Sequence, residues 1–277
     1  MVIDGNNSIN HNKNYEMYIL RVCYDSNNGG FQSQKDGSGI CDIIMDTLIS
    51  LDYTDSKKII YYGGRTDKGV SSIGNFIVVN LKKEPILSHI YSKIKDNGIW
   101  IVGYKKINQI PKVKYRHYRY ILYNDNYNIE KIKEGAKLLI GTHSFHNLSK
   151  KDRSKNKSPI RTIYDIKIKH NDFYITIDIF GESFLWNMVR KIITVLTYLG
   201  EGKKDIDYIK KLLDTNYKEG VPNAPPEGLI LMDAKTDIEY TYDNYVLRKF
   251  KEEWKKRLIN NTLSLGVSKS IVDYKFK

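Results

Sequence analysis

Cysteine is scarce in this chain, which carries only Cys23 and Cys41 among its 277 residues. Two cysteines support neither a disulfide framework of the secreted kind nor a cysteine-based zinc site, so we expect a reducing compartment. Proline and glycine are also sparse, at 6 and 19 residues, while hydrophobic residues make up 41%. This composition is globular, and most of the chain is predicted to fold.

The sequence also lacks an apolar run that would suit a membrane. Its longest apolar stretch, 183–199, carries Arg190 and Lys191 at the middle, where a bilayer would penalise both charges. The stretch instead predicts a buried helix that begins near Ser183. The first fifteen residues, MVIDGNNSINHNKNY, lack the apolar core of a secretory signal, so we expect a disordered polar tail over 1–15 and a cytoplasmic protein.

Signatures of cofactor and metal sites are missing as well. The sequence has neither a P-loop nor a G-x-G-x-x-G motif, so neither nucleotide hydrolysis nor a dinucleotide cofactor is indicated. His143 and His146 lie three apart, close to a metal-ligand spacing, but no cysteine pair and no H-E-x-x-H motif accompanies them. We interpret the two histidines as loop or cap residues and expect no metal and no cofactor.

Positive charge, in contrast, is abundant. The chain has 45 Lys and Arg against 32 Asp and Glu, a formal charge of +13, which favours a polyanionic partner through phosphate contacts. Solubility alone would also explain a basic balance. The 22 tyrosines favour nucleic acid slightly, because aromatic rings among cations suit stacking on bases, although most of them should be half-buried strand residues.

The hydrophobic pattern alternates between strand and helix periods along the chain. It predicts helices over 40–51, 86–95, 128–140, 183–199, 205–214 and 244–260, and strands over 17–25, 58–62, 75–81, 99–106, 114–124, 161–169, 172–180 and 229–234. The order strand, helix, strand, strand occurs twice, which indicates two α+β halves whose antiparallel sheets join. We place these halves at 16–110 and at 111–277, with the final helix in the second.

The clearest predicted loop is SKKDRSKNKSP, residues 149–159, with five cations against one acid. Charge runs of this kind are usually solvated loops. The functional alternative is a phosphate-gripping arm, in which Lys150, Lys151 and Arg153 contact an RNA backbone.

The stretch YYGGRTDKGV, residues 61–70, is the strongest candidate for chemistry. In isolation Asp-Lys-Gly makes an ordinary turn. Arg65 and Asp67 lie two apart, however, so in an extended loop both side chains can point into one cleft, and loops on a rigid sheet often carry function.

Five blocks of the sequence together resemble a known family. Residues 64–70, GRTDKGV, are similar to the signature G-R-T-D-x-G-V of the TruA-type tRNA pseudouridine synthases, closest to its archaeal and eukaryotic form. The other blocks follow in the family's order: Tyr-Asp and Gly-Phe-Gln-Ser-Gln within 24–34, YRYIL at 118–122, G-x-S-F-L-x-N-M-V-R at 181–190, and APPEGL at 224–229.

The resemblance, which runs from about residue 16 to 236, implies a fold and a reaction. The fold would be the α+β pseudouridine synthase fold, with two ferredoxin-like halves that share a mixed, mainly antiparallel sheet and a basic cleft between them. The reaction would be the cofactor-free isomerisation of uridine to pseudouridine in the anticodon stem-loop of tRNA, at about positions 38 to 40. The partner would be tRNA, and a homodimer would suit so elongated an RNA.

The resemblance also implies roles for individual residues. Asp67 would be the catalytic carboxylate, Arg190 its ion-pair partner, and Tyr118 the residue that faces the aspartate, stacks on the uracil and acts as general base at C5. Arg65 would occupy the stack left by a flipped uridine. The expected substrate-binding set is Arg65, Thr66, Lys68, Gln32, Gln34, Leu229, Lys150, Lys151 and Arg153.

Plainer interpretations stand beside these roles. Tyrosine in a strand pattern is usually core, and an arginine in a turn often forms a structural salt bridge, so Tyr118 and Arg65 need no function. On helical spacing Arg190 falls at the edge of the apolar stripe with Ser183 and Trp186, where it could be a solvent-facing cation.

The sequence also departs from the family pattern in loops expected to face RNA. Ser26 replaces a glycine, Gly29 stands where the family has an extra aromatic, and the segments 91–99 and 108–111 lose the family's residues. Two alternatives stay open: a relative with the same chemistry on other tRNA or RNA sites, and a non-catalytic RNA-binding relative.

Overall fold

The computed structural model describes residues 15–25, 27, 29–150 and 158–274. The first half of the chain forms four strands and two helices in the order βαββαβ. They are β1 (Glu16–Tyr24), α1 (Ile40–Ser50), β2 (Tyr61–Tyr62), β3 (Ser71–Leu81), α2 (Leu87–Ile94) and β4 (Ile99–Lys106). In space the strands lie in the order β4-β1-β3-β2, which is the ferredoxin-like arrangement.

The second half repeats this arrangement with additions. Its elements are β5 (Tyr115–Tyr123), α3 (Ile129–Leu139), β6 (Gly141–Ser144), β7 (Ile160–His170), β8 (Tyr174–Gly181), α4 (Met188–Gly200), α5 (Ile206–Leu213) and β9 (Leu229–Lys235). The strand order β9-β5-β8-β7 is again ferredoxin-like, with β6 added at the outer edge. Two last elements follow, β10 (Thr241–Tyr242) and α6 (Asn244–Val272).

The two halves join through β3 and β9 into one ten-stranded sheet. This junction is parallel and short, with Ser71 opposite Ile230 and Ser72 opposite Leu231, whereas the other pairings among the described strands are antiparallel. The predicted fold class, two ferredoxin-like halves that share a mixed and mainly antiparallel sheet, is confirmed.

One face of the sheet carries two separate apolar cores. Helices α1, α2 and α6 bury the first core against β1, β3 and β4, and helices α3, α4 and α5 bury the second against β5, β8 and β9. Tyr24, Ser72, Leu231 and Tyr118 are paired in turn across the junction, so they lie on this same face. Tyr118 of this row lines a cleft beside the junction, and Tyr24, Ser72 and Leu231 are buried.

The chain returns to its first half at the end. β10 pairs with β4, and α6 packs its N-terminal part on the first core, where Phe250 meets Trp100 edge to face with ring centroids 5.2 Å apart. Further along α6, Arg257 forms an ion pair with Asp25, at 2.8 Å. The final helix therefore covers the first half of the sheet rather than the second.

Several boundaries differ from the sequence-based expectations. The helix expected to begin near Ser183 starts at Met188, because Asn187 adopts φ +63° and ends the irregular segment 183–187. The short strands β6 and β10 were not predicted, β3 begins at Ser71 rather than residue 75, and α6 extends to Val272 rather than residue 260. Within the described ranges no helix is both long and apolar enough to cross a membrane.

Candidate active site

The loop that carries Asp67 connects β2 to β3 and is held from below by buried polar groups. The Tyr24 hydroxyl exchanges a hydrogen bond with Thr66 Oγ1 at 2.9 Å. Asn75, fully buried, accepts from the Gly64 N–H at 3.0 Å and donates to the Gly64 carbonyl at 2.9 Å. Because buried polar groups with satisfied partners resist displacement, the loop is rigid immediately before Asp67.

Gly64 lies close to two side chains of the sheet. A Cβ at this position would lie 3.2 Å from Leu231 Cδ2 and 3.4 Å from the Tyr118 hydroxyl, so a larger residue would require these side chains to shift. The glycine of the motif thus lets the loop approach Tyr118 closely.

Asp67 lines this cleft and has a donor on each carboxylate oxygen. Arg190 Nη1 donates to Oδ2 at 3.1 Å, and the indole Nε1 of Trp186 donates to Oδ1 at 3.1 Å. Arg190 is itself fixed, since its Nε donates to the Ala224 carbonyl at 2.6 Å. The structure therefore brings Asp67 and Arg190 together, with the Arg190 side chain 15% exposed and that of Asp67 33% exposed.

Tyr118 is buried beside the aspartate. Its ring meets Phe184 edge to face, with centroids 5.3 Å apart, and its hydroxyl lies 3.5 Å from the Arg65 carbonyl. Burial raises the pKa of the phenol to about 12, while the Arg116 guanidinium lowers it and the Asp67 carboxylate raises it. The raised pKa favours the neutral hydroxyl of Tyr118 at neutral pH.

The cleft above Asp67 and Tyr118 has a volume of about 1300 Å³ and is basic. Its cationic lining comprises Arg65, Arg116, Lys150, Arg161, Arg190 and Lys218, and its aromatic lining comprises Tyr61, Tyr62, Tyr118, Phe184 and Trp186. A polyanion with exposed rings, such as a nucleic acid, is complementary to such a surface.

Some of the predicted binding residues line this cleft. Arg65 is exposed, and its Nε donates to the Tyr62 hydroxyl at 2.6 Å with the guanidinium over the Tyr62 ring. Leu229 is buried at the start of β9 and forms part of the apolar wall, and Gln32 also borders the cleft. Lys150 extends over the ring of Trp186, with its Nζ 4.2 Å from the ring centroid.

Other predicted binding residues lie elsewhere. Thr66 touches the cleft, but its hydroxyl is bonded to Tyr24. Lys68 and Gln34 are exposed and are not among the described residues that line the cleft; the Gln34 side chain donates to the Gln32 carbonyl at 3.1 Å. Lys151 and Arg153 lie outside the described residues.

Sequence reasoning missed Trp186 and Arg116. Trp186 was assigned to a helix edge, although it stands in the very block whose arginine was selected. Arg116 donates from Nε to the Gly63 carbonyl at 2.7 Å and from Nη1 to the Glu182 carbonyl at 2.9 Å, so it ties the Asp67 loop to the segment after β8. In the sequence, the only feature that pointed to Arg116 was its position two residues before the block that begins at Tyr118.

The histidine pair has structural contacts. His143 Nε2 donates to the Ile140 carbonyl at 2.9 Å, and His146 bonds the Tyr217 carbonyl at 2.8 Å and Ser144 Oγ at 3.0 Å. Over the described ranges, no group of three or more His, Cys, Asp and Glu side chains is arranged to hold a metal.

The sequence of this chain is similar to those of known tRNA pseudouridine synthases. The family model for tRNA pseudouridine synthases matches residues 136–237. The "tRNA pseudouridine synthase A" of Methanocaldococcus jannaschii is 60% identical over 258 residues, which span 93% of this chain and 99% of that protein. A protein of the same name from Methanococcus maripaludis is 48% identical over 260 residues, 92% of this chain and 99% of that one.

Among solved structures, the Cbf5-Nop10-Gar1 complex contains a similar chain. That chain is 12% identical, with a TM-score of 0.36, over 65% of this chain and 44% of its own length.

Proposed function

Because this chain belongs to the tRNA pseudouridine synthase family, we propose that it isomerises uridine to pseudouridine in the anticodon stem-loop of tRNA, at about positions 38 to 40. The catalytic group in this proposal is the carboxylate of Asp67. The observation that carries it is the ion pair of Asp67 and Arg190 in a basic cleft. The enzyme is an isomerase of the intramolecular transferase type.

The reaction breaks the N1–C1′ bond of uridine, turns the uracil and forms a C5–C1′ bond. The C5 proton is released to solvent, and N1 takes up one proton in its place. Atoms and electrons balance within the nucleoside, so the reaction itself requires no redox partner. Asp67 can attack C1′ or the base as a nucleophile, or it can remove the ribose 2′-proton in a glycal route. Both routes need the carboxylate to be directed at the nucleoside, and the ion pair with the Arg190 guanidinium, at 3.1 Å, holds Asp67 in the cleft.

The surroundings of Asp67 suit an extruded uracil. Tyr118, Phe184 and Leu229 line the cleft beside the carboxylate and offer aromatic and apolar surface to a base. The Tyr118 hydroxyl is the nearby group that can exchange a proton with C5 in this proposal. As a buried neutral phenol, it must pass its own proton to a neighbour when it accepts one, and the Asp67 carboxylate lies beside it.

Flipping the target uridine leaves a gap in the RNA stack. Arg65 lies at the rim of the cleft with its guanidinium beside Tyr62 and is exposed, so it can move into the gap. The remaining lining cations, including Lys150, Arg161 and Lys218, are positioned to contact phosphates on either side.

The proposal is tested by tritium release from tRNA labelled at C5 of uridine, followed by pseudouridine mapping in tRNA from a strain with and without the protein. We expect release that depends on the enzyme, and loss of pseudouridine at anticodon-stem positions in the deletion strain. Release with loss at other positions would favour the alternative RNA sites, and absence of release would favour a binding protein without catalysis.

Removal of cleft charge is expected to weaken tRNA binding and flatten its salt dependence. The triple variant Lys150→Gln, Arg161→Gln, Lys218→Gln should reduce the slope of log K against log salt by about 1 for each phosphate that the variant no longer neutralises. Equilibrium binding of tRNA at several salt concentrations measures the slope.

A matched control for this triple variant removes three exposed lysines of the first half that do not line the cleft, Lys93, Lys95 and Lys105. Its net charge falls by the same amount. If both triple variants changed the slope equally, general charge rather than the cleft would bind tRNA.

A further inference from the structure

Two donors hold the carboxylate of Asp67, and the sequence block they come from spans only five residues. Arg190 binds Oδ2 and Trp186 binds Oδ1, each at 3.1 Å. A carboxylate oxygen has two lone-pair sites, so each oxygen keeps one for a substrate. With a donor on each side, rotation of the carboxylate about its Cβ–Cγ bond is restricted, and the free lone pairs keep a fixed direction.

The two donors are held differently. Arg190 lies on α4 and is anchored to the Ala224 carbonyl, so its direction is set by the helix and by a second hydrogen bond. Trp186 precedes the helix in the irregular segment 183–187 and is 47% exposed at the cleft. Its position depends on contacts outside α4.

Those contacts come from the start of the basic segment 149–159. The Lys150 N–H donates to the Trp186 carbonyl at 2.8 Å, and the Lys150 ammonium lies 4.2 Å from the centre of the indole ring, a cation–π contact. One residue away, the Ser149 carbonyl accepts from Lys191 Nζ on α4 at 3.0 Å. The indole is therefore fixed between the aspartate and a lysine that also borders the RNA cleft.

We propose that Trp186 is a positioning residue for Asp67, whose indole N–H orients the carboxylate for the nucleoside and, through Lys150, connects that orientation to the bound RNA backbone. The inference rests on the proposed function, in which Asp67 reacts with the flipped uridine. A phosphate that contacts Lys150 acts on the same ring that holds Asp67 Oδ1.

Two substitutions separate the hydrogen bond from the ring. Trp186→Phe keeps an aromatic face for Lys150 but removes the donor. Trp186→His keeps a donor in place, because histidine Nε2 lies the same two bonds from Cγ as the indole nitrogen, while it loses much of the ring. Catalytic parameters for tritium release are measured for wild type and both variants, and tRNA affinity and melting temperature establish that each is folded.

We expect Trp186→Phe to lower kcat about tenfold with KM changed less than about twofold, since a hydrogen bond to a charged group is lost and binding contacts remain. Trp186→His should keep kcat within about threefold of wild type. The reverse order, with phenylalanine active and histidine impaired, would overturn the inference and assign Trp186 a packing role.

Tryptophan emission provides the second readout. Trp100 is buried, and Trp254 lies on α6. A change in tryptophan fluorescence on addition of tRNA should therefore come from Trp186. This change should disappear in Trp186→Phe. It should also shrink in Lys150→Gln at saturating tRNA. If tRNA changed the emission of wild type and Trp186→Phe equally, the proposed connection between Trp186 and the bound RNA would be refuted.

Failure of this inference is distinguishable from failure of the proposed function. An inactive wild-type enzyme would refute the function. An active wild type, an inactive Asp67→Asn and a fully active Trp186→Phe would refute only the role of Trp186.

Discussion

Asp67→Asn is expected to lose turnover by roughly 10⁴-fold or more, a loss of the size seen when an enzyme's nucleophile is removed, while tRNA binding stays near the wild-type level. Asparagine has the same shape, and its oxygen can still accept one hydrogen bond from Trp186 or Arg190. It has no negative charge, so it can neither form the bond to the substrate nor take the ribose proton. Single-turnover tritium release at saturating enzyme measures the chemical step, and equilibrium binding measures affinity for tRNA.

The control for Asp67→Asn is the same exchange at Asp96, an exposed aspartate of the first half that does not line the cleft. Asp96→Asn should keep full activity. Substitution at position 67 also removes the carboxylate that pairs with the Arg190 guanidinium, so the melting temperature is recorded for both variants. Retention of more than about one per cent of wild-type turnover by folded Asp67→Asn would be incompatible with a catalytic carboxylate at this position.

Tyr118→Phe is expected to reduce turnover by roughly 10² to 10⁴-fold, the usual contribution of a positioned acid or base. The phenylalanine ring keeps the edge-to-face contact with Phe184 and the shape of the base pocket. Only the hydroxyl is removed, and its hydrogen bond to the Arg65 carbonyl is long, at 3.5 Å, so stability at neutral pH should change little. Tritium release and thermal unfolding measure the two effects.

The stability of the protein at high pH tests whether Tyr118 is buried. Its pKa is raised by burial from 10 to about 12, so the folded protein holds the phenol proton more tightly than the unfolded chain. The resulting stability is fully present below about pH 10 and is lost as pH rises toward 12. Wild type should therefore lose stability relative to Tyr118→Phe across this window. If Tyr118→Phe had normal turnover, the Tyr118 hydroxyl would be excluded from proton transfer at C5.

The pairing of Asp67 with Arg190 could be expected only from the resemblance to the family, because the 123 residues between them leave no signal in the local periodicity. The helix start could not be placed, because the apolar period of 183–199 continues smoothly across Asn187 and gives no sign of its positive φ. That error put Trp186 on a helix edge, where its contact with Asp67 was invisible. The hydrophobic pattern predicts which residues face the core. The backbone turn that redirects Trp186 depends on tertiary packing, which the pattern does not contain.

Short and weakly patterned elements were also out of reach. β6 is four residues long and contains His143, so its alternation is too brief to distinguish from a loop. Arg116 donates to two backbone carbonyls from other segments, and such contacts leave no mark on the local sequence. The prediction that Lys151 and Arg153 contact RNA remains a prediction, because both lie outside the described residues.

The parallel junction of β3 and β9 has a consequence for how this enzyme is made. Asp67 emerges from the ribosome 123 residues before Arg190, and Leu229 begins the strand that closes the junction. A nascent chain that has completed its first ferredoxin-like unit thus displays the aspartate without its guanidinium. In the proposed function, a chain without its second unit therefore lacks the Asp67–Arg190 ion pair, and competence for the reaction depends on the docking of the two units.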